Sequence, residues 1–309
     1  MEYTLDINNL SKVFAEVKAV DGLSFRVAPG EIYGFLGQNG AGKSTTIRML
    51  LTLVRPSSGE IRIFGKDLRH HRREILQQVG AIIEKPDLYK YLTALQNLEL
   101  MARLSGCRLT KKQLQEKLDR VGIGERVNSK VRTFSQGMRQ RLGIACALVH
   151  DPSLVILDEP TNGLDPQGIA DVRNLLLHLS REEGKTIFLS SHLLHEIELI
   201  ADSMLIIDRG KKVAEGKVSE LLHPADTLVA IQAVDEEGAR RLLIQSAWSG
   251  HLQPGSALVL KMDRNDIPNL LRFLVDNKVD VLALSPRHSL EDYFLSRTTE
   301  NQHVATYTH

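Results

Sequence analysis

Cysteine is scarce: Cys107 and Cys146 are the only two among 309 residues. Two distant thiols set out neither a disulfide framework nor a metal cluster, and they read as apolar filler in a reducing compartment. Excess charge is missing as well. The 39 Lys and Arg side chains almost cancel the 38 Asp and Glu, so no bulk field draws the chain to nucleic acid or an anionic membrane. The local basic run Arg69-His70-His71-Arg72-Arg73 reads as a solvated helix face. Nowhere do about 18 apolar residues run together, which excludes a bilayer-spanning helix. Met1-Glu2-Tyr3-Thr4-Leu5-Asp6 lacks the basic start and apolar stretch of a secretory signal. A role at a membrane would then depend on another chain. Internal repeats are also absent, so each motif below occurs once.

What is present is sharper. Gly37-Gln38-Asn39-Gly40-Ala41-Gly42-Lys43-Ser44 fits the phosphate-gripping pattern G-x-x-x-x-G-K-[ST] at every fixed position. Glu31–Leu36 before it reads as a short buried strand, and Thr45–Leu51 after it has helical apolar spacing. A strand feeding a glycine turn and then a helix start aims backbone N–H groups and a positive dipole end at one anion. Lys43 reaches the outer phosphates as a point charge, and the Ser44 hydroxyl takes a place on Mg²⁺.

Further apolar runs predict strands at Glu60–Phe64, Val79–Ile83, Leu154–Leu157, Thr186–Leu189 and Met204–Ile207. Capping-box patterns at Thr93…Gln96 and Thr110…Gln113 open two helices. Alternating Val/Ile/Leu runs and helices predict an α/β fold around a mainly parallel, doubly covered sheet. Near His223-Pro224 the pattern changes, dividing a domain over residues 1–222 from a small α+β domain over 223–297, with a polar tail over 298–309. The second domain reads as strand Leu228–Val234, helix Glu236–Ala247, strand Ala257–Met262, helix Asp266–Asp276, strand Val279–Leu284 and helix Ser289–Ser296. Asn277-Lys278-Val279-Asp280 matches the guanine-reading pattern N-K-x-D, but it follows a helix and reads as that helix's terminus. Trp248, the only tryptophan, reads as a hydrophobic anchor of this domain.

Two carboxylates, Asp158 and Glu159, follow the buried run Leu154–Leu157 at the strand edge where open α/β sheets bind ligands. Asp158 suits a hydrated Mg²⁺, and Glu159 can polarise the water that attacks a γ-phosphate. Ser135 has the position of an N-cap before an amphipathic helix over Met138–Val149. Its hydroxyl and the free N–H groups behind it suit either an ordinary cap or a second anion site.

Taken in order along the first 220 residues or so, these motifs make the chain resemble the nucleotide-binding subunit of an ABC transporter. Thr133-Phe134-Ser135-Gln136-Gly137-Met138-Arg139-Gln140 is similar to the family signature, and Asp158–Asp165 to its Walker B strand running into the D-loop. The resemblance implies a P-loop cassette, a mainly parallel sheet core with antiparallel strands and a helical subdomain, binding ATP and Mg²⁺. It implies that Gly37–Thr45 hold the phosphates, that Phe14 stacks on adenine, and that Ser135 and Gly137 face ATP held by an opposite subunit. Catalysis would fall to Glu159, supported by His192 as the switch histidine and by Lys43, while Asp165 acts across the dimer interface and also caps a helix at Pro166. Metal ligands would be Ser44, Asp158 and the Q-loop position.

That last position is Glu84, where the family usually has glutamine. An ionised glutamate can coordinate Mg²⁺ or accept from water but cannot donate. Gln136 and Met138 also stand where many transporters carry glycine and glutamine. With the ending Ser289–Leu295, these departures resemble ATPases of ABC-2 type exporters of antibiotics, lantibiotics or ions. The implied partners are a membrane permease and a second cassette, a copy of this chain, with no nucleic acid. The implied place is the cytoplasmic face of the membrane, reached only through the permease. Competing readings are a regulatory or self-immunity ATPase without transport, an importer ATPase, and a DNA-repair or translation ATPase. The last needs either a long coiled coil or two cassettes on one chain, and neither is present here.

Overall fold

The computed structural model describes residues 3–221, 227–255 and 257–288. In chain order the first part runs β1 (Leu5–Phe14), β2 (Val17–Val27), β3 (Ile32–Gly37), α1 (Lys43–Leu50), β4 (Ser58–Ile63), β5 (Lys66–Asp67), α2 (Arg72–Leu76) and β6 (Val79–Ile82). Three helices follow, α3 (Ala94–Leu104), α4 (Lys111–Arg120) and α5 (Gln136–Ala147). Next come β7 (Leu154–Asp158), α6 (Pro166–Arg181), β8 (Thr186–Ser191), α7 (Leu194–Glu198), β9 (Ser203–Asp208), β10 (Lys211–Lys217) and α8 (Val218–Leu221). The second part holds β11 (Thr227–Ala233), α9 (Glu236–Ile244), β12 (Val259–Met262), α10 (Ile267–Asp276) and β13 (Val281–His288). The chain divides into two compact units between Val218 and Ser219.

In the first unit the six-stranded sheet has the order β10-β9-β3-β8-β7-β6. All pairs are parallel except β10 with β9. Every residue of β3, β7 and β8 is buried, which is why these strands read as continuous apolar runs. Against this sheet lies a second, antiparallel one of order β2-β1-β4-β5. Phe25 of β2 stacks on Tyr33 and Phe35 of β3 and on Phe188 of β8, with centroids 5.7, 5.9 and 5.8 Å apart. One aromatic cluster thus joins the two sheets.

The antiparallel sheet corrects the sequence reading in two ways. Glu60–Phe64 is not part of the parallel sheet but supplies β4, where Glu60 and Arg62 are exposed while Ile61 and Ile63 are buried. That alternation marks a one-sided strand. β1 and β2 have no counterpart among the predicted strands. Their pairing shifts register three times between Ile7 and Val13, and Asn9 sits at φ 50, so bulges break the period-2 pattern that would have betrayed them. The basic run Arg69–Arg73 is exposed, but most of it forms the turn before α2 and only Arg72 and Arg73 are helical.

Both predicted capping boxes form. Thr93 and Thr110 accept from the Gln96 and Gln113 amides, and each glutamine side chain returns the bond. α5 differs from expectation: after Arg141 it buries Leu142, Gly143, Ile144, Ala145 and Ala147, so its second half is buried nearly all round rather than on one stripe. Burial there pushes the Cys146 thiol up to about 12. Both thiols are half-buried, so at pH 8 the raised Cys146 is expected to react with a maleimide much more slowly than Cys107 in native protein, and at a similar rate in denaturant. Two fast adducts by mass spectrometry would contradict this.

β6 packs on α5 through Gly80, where an added Cβ would lie 2.2 Å from the Ala147 carbonyl oxygen. Gly80→Ala is expected to cost about 1–3 kcal/mol, the usual penalty of overpacking against a backbone that cannot move away. Urea unfolding reads it as a lower midpoint at unchanged slope; an unshifted midpoint would show that α5 yields freely.

The second unit is a three-stranded antiparallel sheet, β12-β11-β13, with α9 and α10 packed through Leu243, Leu270 and Leu274, each 0 % exposed. Trp248 packs against this core. α9 stops at Ile244, β12 begins at Val259 and β13 at Val281, each inside or beyond the predicted limits. Asn277 is the C-cap of α10: its side-chain amide donates to Phe273 O at 2.8 Å, and Lys278 takes the left-handed turn at φ 60. The N-K-x-D pattern is thus spent on ending a helix. The expected helix Ser289–Ser296, the tail over 298–309 and the division at 222/223 lie outside the described residues. Among the described residues no helix is long and apolar enough to cross a membrane.

Candidate functional site

The glycine loop leaves the buried end of β3 at Gly37, where a Cβ would lie 2.7 Å from Ile207 O. It re-enters the fold at Gly42, whose φ of 110 and approach to Ala19 O both forbid a side chain. Between them Asn39 and Gly40 are exposed, Gln38 is half-buried and Ala41 is buried. Ala41 N donates to Gln38 O at 3.1 Å, closing the turn. α1 then starts with Gly42 as N-cap and no side-chain cap, so its first-turn N–H groups keep the anion-binding capacity of a helix start. Thr45 is half-buried in that turn.

Lys43 is only 5 % exposed. Its Nζ donates to Gly37 O at 2.6 Å and Gln38 O at 3.2 Å and pairs with Glu159 Oε1 at 3.1 Å. Glu159 follows β7 at φ 51, a strained setting that turns its side chain away from the strand's alternation. Its other oxygen, Oε2, accepts from His192 Nδ1 at 2.6 Å. A cation, a carboxylate and an imidazole thus meet beside the loop, drawn from three separate elements.

Asp158 is 1 % exposed. Its Oδ1 accepts from Ser190 Oγ at 2.6 Å, and Oδ2 is buried with no partner among the described residues. A buried carboxylate oxygen left unpaired is costly, and a cation or its bound water would relieve it. Ser44, Glu84, Gln136, Asp158, Glu159 and Asn162 line one cleft of about 580 Å³. The donor set of a hydroxyl and a carboxylate fits a hard, hydrated cation such as Mg²⁺.

Glu84 is at the cleft but points its charge elsewhere. It sits at φ 60, and its carboxylate pairs with Arg48 of α1 at 2.5 Å. Ser135 caps α5, accepting from Met138 N at 3.2 Å, and Gly137 lies half-buried in the first turn. Asp165 caps α6, accepting from Gly168 N at 3.0 Å, with Pro166 at the first helical position. Phe14, at the end of β1, is 46 % exposed and lies under the Lys12 ammonium at 4.7 Å. Ser135, Gly137, Asp165 and Phe14 are not among the residues lining the cleft, although Gln136 is.

Several participants were not singled out in the sequence. Ser190 bridges the acidic pair, since its Oγ also accepts from Glu159 N at 3.0 Å. Glu196 Oε2 accepts from Thr161 Oγ1 at 2.5 Å and Ser191 Oγ at 3.2 Å, tying the turn after Glu159 to α7. Gln136 Nε2 donates to Asn162 O at 3.1 Å, linking the start of α5 to the same turn. The available signal was Ser190-Ser191 at the end of an apolar strand: buried hydroxyls need partners.

Comparison with known proteins follows the same lines. The ABC transporter family model matches residues 20–162. The bacitracin transport ATP-binding protein BcrA of Bacillus licheniformis is 41% identical over 298 residues, covering 96% of this chain and 97% of that one. The daunorubicin/doxorubicin resistance ATP-binding protein DrrA of Streptomyces peucetius is 39% identical over 70% of this chain and 66% of its own. A dimeric ATP-binding cassette solved in a post-hydrolysis state with ADP and Pi superposes with a TM-score of 0.62 at 25% identity, covering 69% of this chain and 98% of that one.

Proposed function

The chain belongs to the ATP-binding subunits of ABC transporters, which are ATP hydrolases, and from that premise we propose that it powers an exporter, pairing with a second copy of itself and acting through a membrane permease. The observation that carries the catalytic part is the contact chain Lys43–Glu159–His192 beside the glycine loop. The Lys43 ammonium donates to Gly37 O and Gln38 O and pairs with Glu159. A γ-phosphate offers Lys43 a stronger, charge-assisted acceptor. Exchange of Glu159 for phosphate frees Oε1 to accept from the attacking water, while His192 keeps the carboxylate oriented through Oε2. Water then adds to phosphorus in line as the bond to ADP breaks, and Lys43 with the loop amides stabilises the charge on the transferring group. Ser44 and Asp158 would hold Mg²⁺, which neutralises phosphate charge when bound. Glu84 would join them only with its pair to Arg48 opened. Phe14 takes the adenine, and residues 1–222 form the cassette.

Ser135 and Asp165 cap the starts of α5 and α6, and Gly137 lies in the first turn of α5; such helix starts can receive an anion, which supports assigning them to ATP held by the partner. Ser135→Arg in a Glu159→Gln background is therefore expected to abolish the ATP-induced dimer. Light scattering that still shows a dimer would refute the shared site. Export is supported by two relatives, one named for bacitracin transport and the other for daunorubicin/doxorubicin resistance. Co-reconstitution with the neighbouring membrane protein should give ATP-driven flux, and hydrolysis without flux would favour a regulatory module.

A further inference from the structure

The first unit holds another cavity, of about 800 Å³, between the C-terminal end of α1, β4 and the turn into α2. None of its lining residues appears in the chemistry above. Its floor is apolar: Met49, Ile61 and Leu68 are 1 %, 4 % and 4 % exposed and belong to the main core. Its rim is cationic, carrying the exposed arginines Arg55, Arg69 and Arg72, and none of the lining residues is acidic.

Nearby carboxylates are committed to other groups. Asp67 accepts from the Arg69 backbone amide at 2.7 Å, Glu74 pairs with Lys66 and His71, and Glu60 pairs with Arg62. Two of the three guanidinium groups are anchored by neutral acceptors: Arg69 donates to Gly59 O, and Arg72 Nε donates to Thr52 Oγ1 at 2.6 Å. Each keeps most of its fork of donors. For Arg55 only the carbonyl is engaged, by Lys12 Nζ at 2.9 Å.

Three like charges over a low-dielectric floor repel one another and focus a positive potential that a bound anion relieves. Guanidinium forks match phosphate oxygens in pairs. No aromatic ring is among the residues lining the cavity, so a nucleobase finds nothing to stack on, whereas an aliphatic body can lie on half-buried Val54 and Pro56, which line the cavity above Met49, Ile61 and Leu68. We propose that this cavity binds an anionic amphiphile, with a phosphate monoester head on the arginine rim and an aliphatic tail on the apolar floor. The site is independent of the transport reading.

Calorimetry on the full chain, with the ATP site filled by magnesium and a non-hydrolysable ATP analogue, tests it with octyl phosphate below its micelle concentration. Saturable one-to-one binding is expected, at least tenfold tighter than inorganic phosphate, with no signal from octyl glucoside. Arg55→Gln with Arg69→Gln should weaken it about tenfold or more while melting temperature and ATPase rate stay unchanged. Independently of any variant, wild-type affinity should fall as salt rises. Equal binding by the double variant, equal binding of octyl glucoside or of inorganic phosphate alone, or salt-insensitive binding would each overturn the proposal. Flotation with phosphatidic acid vesicles, wild type against the double variant, then assigns the head group to a lipid if only the wild type floats, and to a dissolved ester otherwise.

Discussion

Glu159→Gln is expected to bind ATP normally while turnover falls by roughly 10²–10⁴, the usual contribution of a positioned base. The substitution keeps the shape but removes the charge, and one of the two acceptor oxygens, that Lys43 meets at 3.1 Å and His192 at 2.6 Å. Binding survives because the phosphate contacts come from Lys43 and loop amides, which the change does not touch. Loss of the Lys43 pair should, if anything, favour nucleotide, since the ammonium no longer has a carboxylate to give up. The measurements are equilibrium ATP binding and steady-state phosphate release on the same preparation. A near-normal kcat would remove Glu159 from its role. A parallel collapse of binding would mean that it acts by shaping the loop.

Lys43→Ala is expected to weaken ATP binding by roughly 10–100-fold and to depress turnover with it, since a charge-assisted hydrogen bond is worth about 1.5–3 kcal/mol. The structure raises a rival cause. Lys43 also holds the loop together by donating to Gly37 O and Gln38 O, so its loss could act by loosening the loop. Lys43→Met restores most of the aliphatic stem without the donors, so it separates lost packing from the lost ammonium, and the melting temperature reports whether the loop has loosened. If both variants melt like the wild type and both lose affinity, the charge is what matters. Should binding and turnover survive in either, the lysine is not the phosphate ligand.

Legibility differed from element to element for physical reasons. The glycine loop could be read because its constraints are local: Gly42 needs a positive φ, Lys43 and Ser44 follow at fixed offsets, and a buried strand precedes them. β7 and β8 were legible because burial on both faces leaves an unbroken apolar run. β1 and β2 were not, since bulges interrupt their alternation. Nor was the even burial of α5, because its environment comes from other elements rather than from its own period. Ser190 was missed because a serine is informative only once its neighbours are known.

The sequence by itself determined which groups can be proposed for phosphate chemistry: the glycine loop with Lys43 and Ser44, the acidic pair Asp158-Glu159, His192, and the helix starts at Ser135 and Asp165. Each is set by backbone rules or side-chain chemistry acting over a few neighbouring residues. Tertiary structure alone decided which of them meet. It placed Glu159 between Lys43 and His192, left Asp158 Oδ2 buried and unpaired, turned Glu84 toward Arg48, and gathered three arginines above an apolar floor. Those contacts join residues far apart in the chain. Those among Lys43, Glu159 and His192 exist because the parallel strands β3, β7 and β8 end at one edge, a juxtaposition that no local pattern encodes.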